Sequence, residues 1–274
     1  VTIKGKGNYD INTTEKGTFT IAQADFSTPS AVSIADVTGL VYTGSEIKPT
    51  PTVTFKGNTL TAGTDFDFSY ANNTNAALST ATTAPTVIVT GKNNFKGTSS
   101  KTFTIDQADF STPSVVTIAA VTGQTYTGSE ITPTPTVTFN GNPLTAGTDF
   151  DYGYANNTNA ALSTATPAPT VTINGKNNFK GTNSVTFTIN PKSVVGLEVN
   201  VSGTYTYTGS AIQPASTNIE VKDGSKTLTY DTDYTISTYS NNVNVADAND
   251  PSAPPTVTIK GKGNYDINTT EKGT

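Results

Sequence analysis

The sequence predicts an all-β chain of small sandwich domains in tandem, stacked end to end as a rod. Three observations carry that expectation: a strand-and-turn composition, one unit repeated at a fixed offset, and apolar alternation with period two. Of the 274 residues, 34% are hydrophobic and 14% charged, and Thr, Asn, Gly, Ser and Pro fill the difference. Leu and Glu are scarce, while Thr, Val, Tyr, Phe and Ile are plentiful. Those residues suit half-buried pleated strands joined by tight turns.

The repeat comes first in any reading of this chain. Residues 52–98 and 136–182 carry nearly the same text, and Tyr42 to Tyr126, Asp65 to Asp149 and Phe103 to Phe187 are all 84 residues apart. A third, diverged copy keeps Tyr207-Thr208-Gly209, Thr232-Asp233-Tyr234, Asn241-Asn242 and residues 261–265. Such a unit is long for a solenoid turn and suits a small β domain. The expected division is 1–22 as closing strands of a preceding repeat, then repeats at 23–105, 106–189 and 190–274.

In the second copy, strands are expected at 115–121, 136–139, 149–154, 170–173 and 185–189, with a further extended segment at 125–131. Asn140-Gly141 between two apolar runs is a hairpin signal, because both residues tolerate positive φ. Pro133, Pro135 and Pro169 flank strands rather than interrupt them. Alternation places Phe150, Tyr152 and Tyr154 on one face and Asp149 and Asp151 on the other, as it does Phe66, Phe68 and Tyr70 against Asp65 and Asp67. With Val171, Ile173, Phe179 and Phe187 these form one modest apolar layer, which fits two sheets with one wet face each. A β-grasp-like unit is the alternative, although no helical period of ten residues is present to cover its sheet.

In the third copy the offset changes from 84 at Asp233 to 85 at Asn241. One residue is therefore inserted within a strand, and a β-bulge is expected between Tyr234 and Tyr239 to keep Tyr239 on its face. Two other departures are Ala211 in place of Glu130 and an expected longer loop at 222–226. Thr-Phe-Thr-Ile at 102–105 runs straight into the next repeat with no Gly/Ser tract, so stiff junctions near Ile21, Ile105 and Ile189 are expected.

Residues 1–18 and 257–274 are the same eighteen letters. The expected meaning is an array with a three-domain period, whose two ends are halves of one domain. A closing strand at 18–21 then supplies what the third copy needs after Thr274. Head-to-tail self-assembly follows, with neighbouring repeats as partners.

The chain contains no Cys, His, Met or Trp. Thiolate and imidazole metal ligands, Ser-His-Asp triads and Cys-His nucleophiles are thereby excluded. No enzymatic activity, catalytic residue or cofactor site is assigned. A net charge of −5 with scattered lysines gives no basic stripe for nucleic acid. No apolar run is long enough to insert in a membrane. No signal or anchor motif is present, as expected of a segment of a longer protein.

Asp65, Asp67, Asp149 and Asp151 are the calcium candidates, with Asn156 and Asn157 nearby. No Asp-x-Asp-x-Asp-Gly loop accompanies them, so a solvated strand face is preferred, with Asp65, Asp149 and Asp233 capping turns. Lys92, Lys176 and Lys262 recur as candidates for a covalent Lys–Asn cross-link, yet sit in Gly/Asn-rich turns that favour exposure. Tyr42, Tyr126 and Tyr207 could form a sugar platform or bury their rings. Asn12, Asn72 and Asn156 head N-glycosylation acceptor patterns. In the third copy, 222–226 and 247–255 are the loops that could bind a glycan or protein.

The ordered set Tyr126-Thr127-Gly128, Gly147-Thr148-Asp149-Phe150, 154–157, 175–179 and 186–189 resembles the MBG-type and bacterial Ig-like tandem repeats of large cell-surface adhesins. The resemblance covers essentially the whole chain and implies Ig-like domains at the bacterial surface or in a secreted fibre. It also implies a structural role, a stalk or filament segment of an extracellular adhesin. The alternative is a glycan- or protein-binding adhesive module.

Overall fold

A computed structural model describes residues 1–28, 31–112, 116–245 and 254–274. Every regular element they form is a strand, apart from one 3-10 turn at Ser216–Asn218. Among these residues no helix is long and apolar enough to cross a membrane. The chain divides into two compact units, Val1–Ala108 with Asn177–Lys180, and Asp109–Lys176 with Gly181–Thr274.

Each repeat contains two three-stranded antiparallel sheets. In the first unit these are Val32–Ile34, Val53–Phe55 and Asn58–Thr59, and Phe66–Ala71, Thr86–Gly91 and Thr98–Thr102. Val53 from one sheet and Phe66, Val87 and Val89 from the other join Phe26, Phe103 and Ile105 in one buried cluster. Each such side chain contributes about 1.5–3 kcal/mol by leaving water.

The second unit contains the corresponding pairs of sheets twice. The first pair is Val116–Ile118, Val137–Phe139 and Asn142–Pro143, with Phe150–Ala155, Thr170–Gly175 and Thr182–Thr186. The second pair is Glu198–Val201, Ile219–Asp223 and Lys226–Thr227, with Tyr234–Ser240, Thr256–Gly261 and Thr270–Gly273. One apolar cluster runs through this unit, from Tyr126, Val171, Phe187 and Ile189 to Val221, Tyr234, Val257 and Tyr265.

Turn chemistry explains the local structure. Asn140 and Gly141 have φ of 49° and 80°, the pair of positive values that a two-residue type I′ hairpin requires. At the corresponding two-residue turn of the third copy, Gly224 has a φ of 61° and Ser225 is not among the positive-φ residues, as in a type II′ turn. Asp223 pairs directly with Lys226 across it, so 222–226 is not the longer loop the sequence suggested. The extra residues lie upstream. Tyr207 and Ile212 are 81 residues beyond Tyr126 and Ile131, but Val221 is 84 beyond Val137. The three added residues fall around the 3-10 turn at Ser216–Asn218.

The expected bulge is present. Pairing of Tyr234–Ser240 with Thr256–Gly261 shifts register between Ile236 and Thr238, leaving Ser237 out of the ladder. Tyr239 thereby keeps its face, and its hydroxyl donates to the Pro214 carbonyl at 2.6 Å, as Tyr154 donates to Pro133 at 3.0 Å.

Two expected segments differ. The strand at 185–189 changes partner partway. Thr182–Thr186 pairs in the sheet, then the Phe187 amide turns to the Pro169 carbonyl and Ile189–Asn190 pairs in parallel with Gln124–Thr125. Of 125–131 only Thr125 joins a ladder. Beyond it the chain is held by Asn157, whose backbone carbonyl accepts from Ile131 and whose side-chain amide donates to Ile131 at 3.1 Å. Val116–Ile118 forms the core of the strand expected at 115–121, and Val115 lies outside the described residues.

At the N-terminus Thr2–Lys4 pairs with Thr14–Lys16, and residues 17–23 form no strand. The strand expected at 18–21 therefore does not form. The same eighteen letters at 257–274 sit in a three-stranded sheet. Both copies make the same turn, with Asp10 and Asp266 each accepting from the amide two residues on. Burial is opposite: Ile3 is 66% exposed and Tyr9 78%, whereas Ile259 and Tyr265 are both 0%. The turn is encoded locally, and the burial comes from neighbours.

Candidate functional site

The repeated acids have partners. The Asp65, Asp149 and Asp233 carboxylates accept from the amides of Thr61, Thr145 and Thr229 at 2.8, 2.8 and 3.0 Å, closing the turn before each strand. Asp67 and Asp151 instead pair with Lys92 and Lys176, each at 3.1 Å. The two carboxylates of each calcium candidate pair therefore serve different partners. No group of three or more Asp and Glu residues gathers among the described residues. Lys92, Lys176 and Lys262 are half-buried turn lysines, the last paired with Asp231. Asn72, Asn156 and Asn241 take the left-handed turn conformation, with φ of 54°, 55° and 56°.

The tyrosines form no common platform. Tyr126 is buried, with its ring edge-on to Tyr265 at 5.7 Å. Tyr42 stands the same way to Phe179 at 5.3 Å. Tyr207, the third of the set, is 58% exposed.

Around Tyr265 lies a polar cluster that the sequence reading missed. Asp223 occupies the place of Phe55 and Phe139, and Lys192 that of Ala24 and Ala108. Tyr265 stands where Phe95 and Phe179 do. Three apolar positions have become polar together. The Lys192 ammonium donates to both Asp223 oxygens at 2.6 and 2.7 Å, and the Tyr265 hydroxyl donates to Asp223 at 3.1 Å. Lys226 donates to the Tyr126 hydroxyl at 3.1 Å and lies 5.4 and 5.5 Å from the Tyr126 and Tyr265 ring centres, within cation–π range. Aligning the copies position by position would have shown the exchange, since no single residue of the three is unusual alone.

Burial, followed by the charge and hydrogen bond of Asp223, pushes the Tyr265 hydroxyl well above the ordinary tyrosine value. Partial burial opposes the charge on Lys226. The Tyr126 hydroxyl, with Asp233 and Asp223, outweighs that and holds the ammonium above its usual value. The linkage has a definite sign. Tyr265 ionises first in the unfolded chain, so its contribution is whole below the unfolded value near 10 and is lost as pH rises toward the folded one. The alkaline fall in melting temperature above about pH 10 is expected to be shallower in Tyr265→Phe than in the parent. Superimposable profiles from pH 8 to 12 would refute this.

Adjacent repeats are held by a side-chain clasp. In the second unit the Asn264 side-chain oxygen accepts from the Ala160 amide at 2.7 Å, and its amide donates to Asn159 at 3.1 Å. In the first unit Asn178 makes the same bonds to Ala76 and Asn75, at 2.8 and 3.1 Å.

The third repeat also contains an apolar groove of about 570 Å³, whose lining includes Tyr205, Tyr207, Ile212, Tyr239, Val245 and Val257. Of the loops expected to bind a ligand, 222–226 is a tight hairpin. In 247–255 only Pro254 and Pro255 are described, and residues 247–253 lie outside the described residues.

No family model, no curated protein and no solved structure matches the chain.

Proposed function

We propose that the chain is a stalk or fibre segment of an extracellular adhesin, built of tandem Ig-like sandwich domains that hold a binding region away from a bacterial surface. The observation that carries this reading is the recurrence of the Asn clasp: Asn178 with Ala76 and Asn75, Asn264 with Ala160 and Asn159. A bond set repeated between successive copies sets spacing and stiffness rather than chemistry. The sequence pattern supports it through the flexible-residue-free junction at 102–105 and the resemblance to MBG-type repeats. The repeated acids and lysines are engaged with turns and with each other, which leaves them to the fold.

Small-angle scattering tests the stalk. A compact protein of this length has a radius of gyration of about 19 Å. The expected value for the chain, measured at dilution, is well above that, with an asymmetric distance distribution. A value near the compact figure would sink the proposal. The second reading, a glycan-binding module, is favoured only by the tyrosine-lined groove of the third repeat. Specific glycan-array binding lost in Tyr239→Ala would establish it.

A further inference from the structure

The first repeat carries two short parallel strand pairs beside its antiparallel sheets, one where the chain enters and one where it leaves. Ala24–Asp25 pairs in parallel with Phe95–Lys96, and Ile105–Asp106 pairs in parallel with Leu40–Val41. The second repeat has the same two contacts. There the Ala108 amide donates to the Asn178 carbonyl at 3.0 Å, and Ile189–Asn190 pairs in parallel with Gln124–Thr125. Lys192, entering the third repeat, bridges in parallel to Tyr265. The two three-stranded sheets of the first repeat are antiparallel throughout. A load entering at residue 23 therefore meets a parallel pair before it reaches them.

Direction decides how such a pair fails under tension. When a repeat is pulled from its two sides, force reaches Ala24–Asp25 at its N-terminal end and passes out of Phe95–Lys96 at its C-terminal end. In a parallel pair those are opposite ends, so the strands must slide past one another and their hydrogen bonds are loaded together. In an antiparallel pair they are the same end, and the bonds open one at a time. The same holds for Leu40–Val41 with Ile105–Asp106. We propose that these parallel pairs are mechanical clamps, and that the first and second repeats resist tension applied along the chain.

Each clamp is longer than its two-residue strands. The Ala24 amide donates to the Asn94 carbonyl at 3.0 Å and the Phe26 amide to the Lys96 carbonyl at 2.8 Å. The Gln23 side-chain amide adds bonds to the Asn93 and Phe95 carbonyls at 2.7 and 3.4 Å. Gln107 repeats them on Asn177 and Phe179 at 2.7 and 3.3 Å. On the leaving side the Tyr42 amide donates to the Asp106 carbonyl at 2.8 Å, and Ile105 exchanges both of its backbone bonds with Ala77 at 2.9 Å. Ile105 is thus held on two sides. Phe26 and Ile105 are buried, and the Phe26 ring lies 5.2 Å from that of Phe95, so apolar packing keeps water from replacing the bonds one by one. The inference stands apart from the stalk reading. A clamp belongs to a single repeat, so a compact scattering radius would refute the stalk and leave the clamp in place.

The test holds the 274-residue chain at constant load in optical tweezers. The chain has no cysteine, so a pair of introduced cysteines fixes the points of attachment. Ala22→Cys with Gln107→Cys loads the first repeat through both clamps. Thr64→Cys with Asn94→Cys loads one end of the antiparallel pair Phe66–Ala71 and Thr86–Gly91. All four positions are exposed. At the same load the folded lifetime is expected to be about 100-fold longer on the first pair, because several hydrogen bonds must break together there. Ala24→Pro deletes the amide that bonds Asn94 and should shorten the lifetime on the 22/107 pair by about tenfold, with little change on the 64/94 pair. If that variant does not fold, Gln23→Ala, which alters an exposed side chain, should act in the same direction. Equal lifetimes on the two attachment pairs overturn the proposal, as does a substitution at residue 23 or 24 that shortens both alike.

Discussion

Asp223→Ala will destabilise the second unit by about 2 kcal/mol, and restoring the apolar trio of the other repeats will recover the loss. Removing the carboxylate leaves the Lys192 ammonium and the Tyr265 hydroxyl without the acceptor they share at 2.6–2.7 and 3.1 Å. An orphaned polar group costs about 1–3 kcal/mol, and a broken buried ion pair somewhat more. The Lys192 side chain is 37% exposed and that of Asp223 18%, so solvent screens part of the loss. For a unit of this size about 2 kcal/mol lowers the melting temperature by roughly 4–8 °C. The triple change Asp223→Phe, Lys192→Ala and Tyr265→Phe reproduces the residue types of the first two copies. Exchanging an ion pair for packed apolar groups is often neutral or stabilising, so its melting temperature is expected at or above the parent's. A triple variant less stable than Asp223→Ala alone would show that the cluster is more than a local substitution for an apolar patch.

That cluster marks the limit of what the sequence revealed. Features set by a few adjacent residues were legible. Asn140-Gly141 predicted its hairpin because only certain residues accept two positive φ values. Phe150, Tyr152 and Tyr154 predicted their face because side-chain direction alternates. The bulge between Tyr234 and Tyr239 was found by counting, since one added residue must leave the ladder or invert the strand. Features set by distant partners were not legible. Nothing in residues 185–190 shows that pairing passes from Thr170–Gly175 to Gln124–Thr125, because apolar alternation continues unbroken through the change. Lys192, Asp223 and Tyr265 are far apart in sequence and only their mutual contact gives them meaning. A longer loop was expected at 222–226, whereas the three added residues lie near 216–218, where nothing in the local letters marks an insertion. The hairpin at 1–18 shows the same division sharply: identical letters reproduce the turn of 257–274 but not its burial.

The largest contrast is expected between two phenylalanines in the same tripeptide. Phe187→Ala should lower the stability of the second unit by about 3–5 kcal/mol, the usual range for emptying a phenylalanine site in a packed core. Phe187 is 1% exposed and joins the cluster that also contains Tyr126, Ile131, Val171 and Ile189, so its removal leaves a cavity those side chains cannot close. Phe103→Ala in the first unit should behave alike, since Phe103 is also 1% exposed within its own cluster. Phe19→Ala should change stability by less than about 0.5 kcal/mol, because the ring is 70% exposed. Denaturant melts of the three variants distinguish these cases, with midpoints falling for the first two and unchanged for the third.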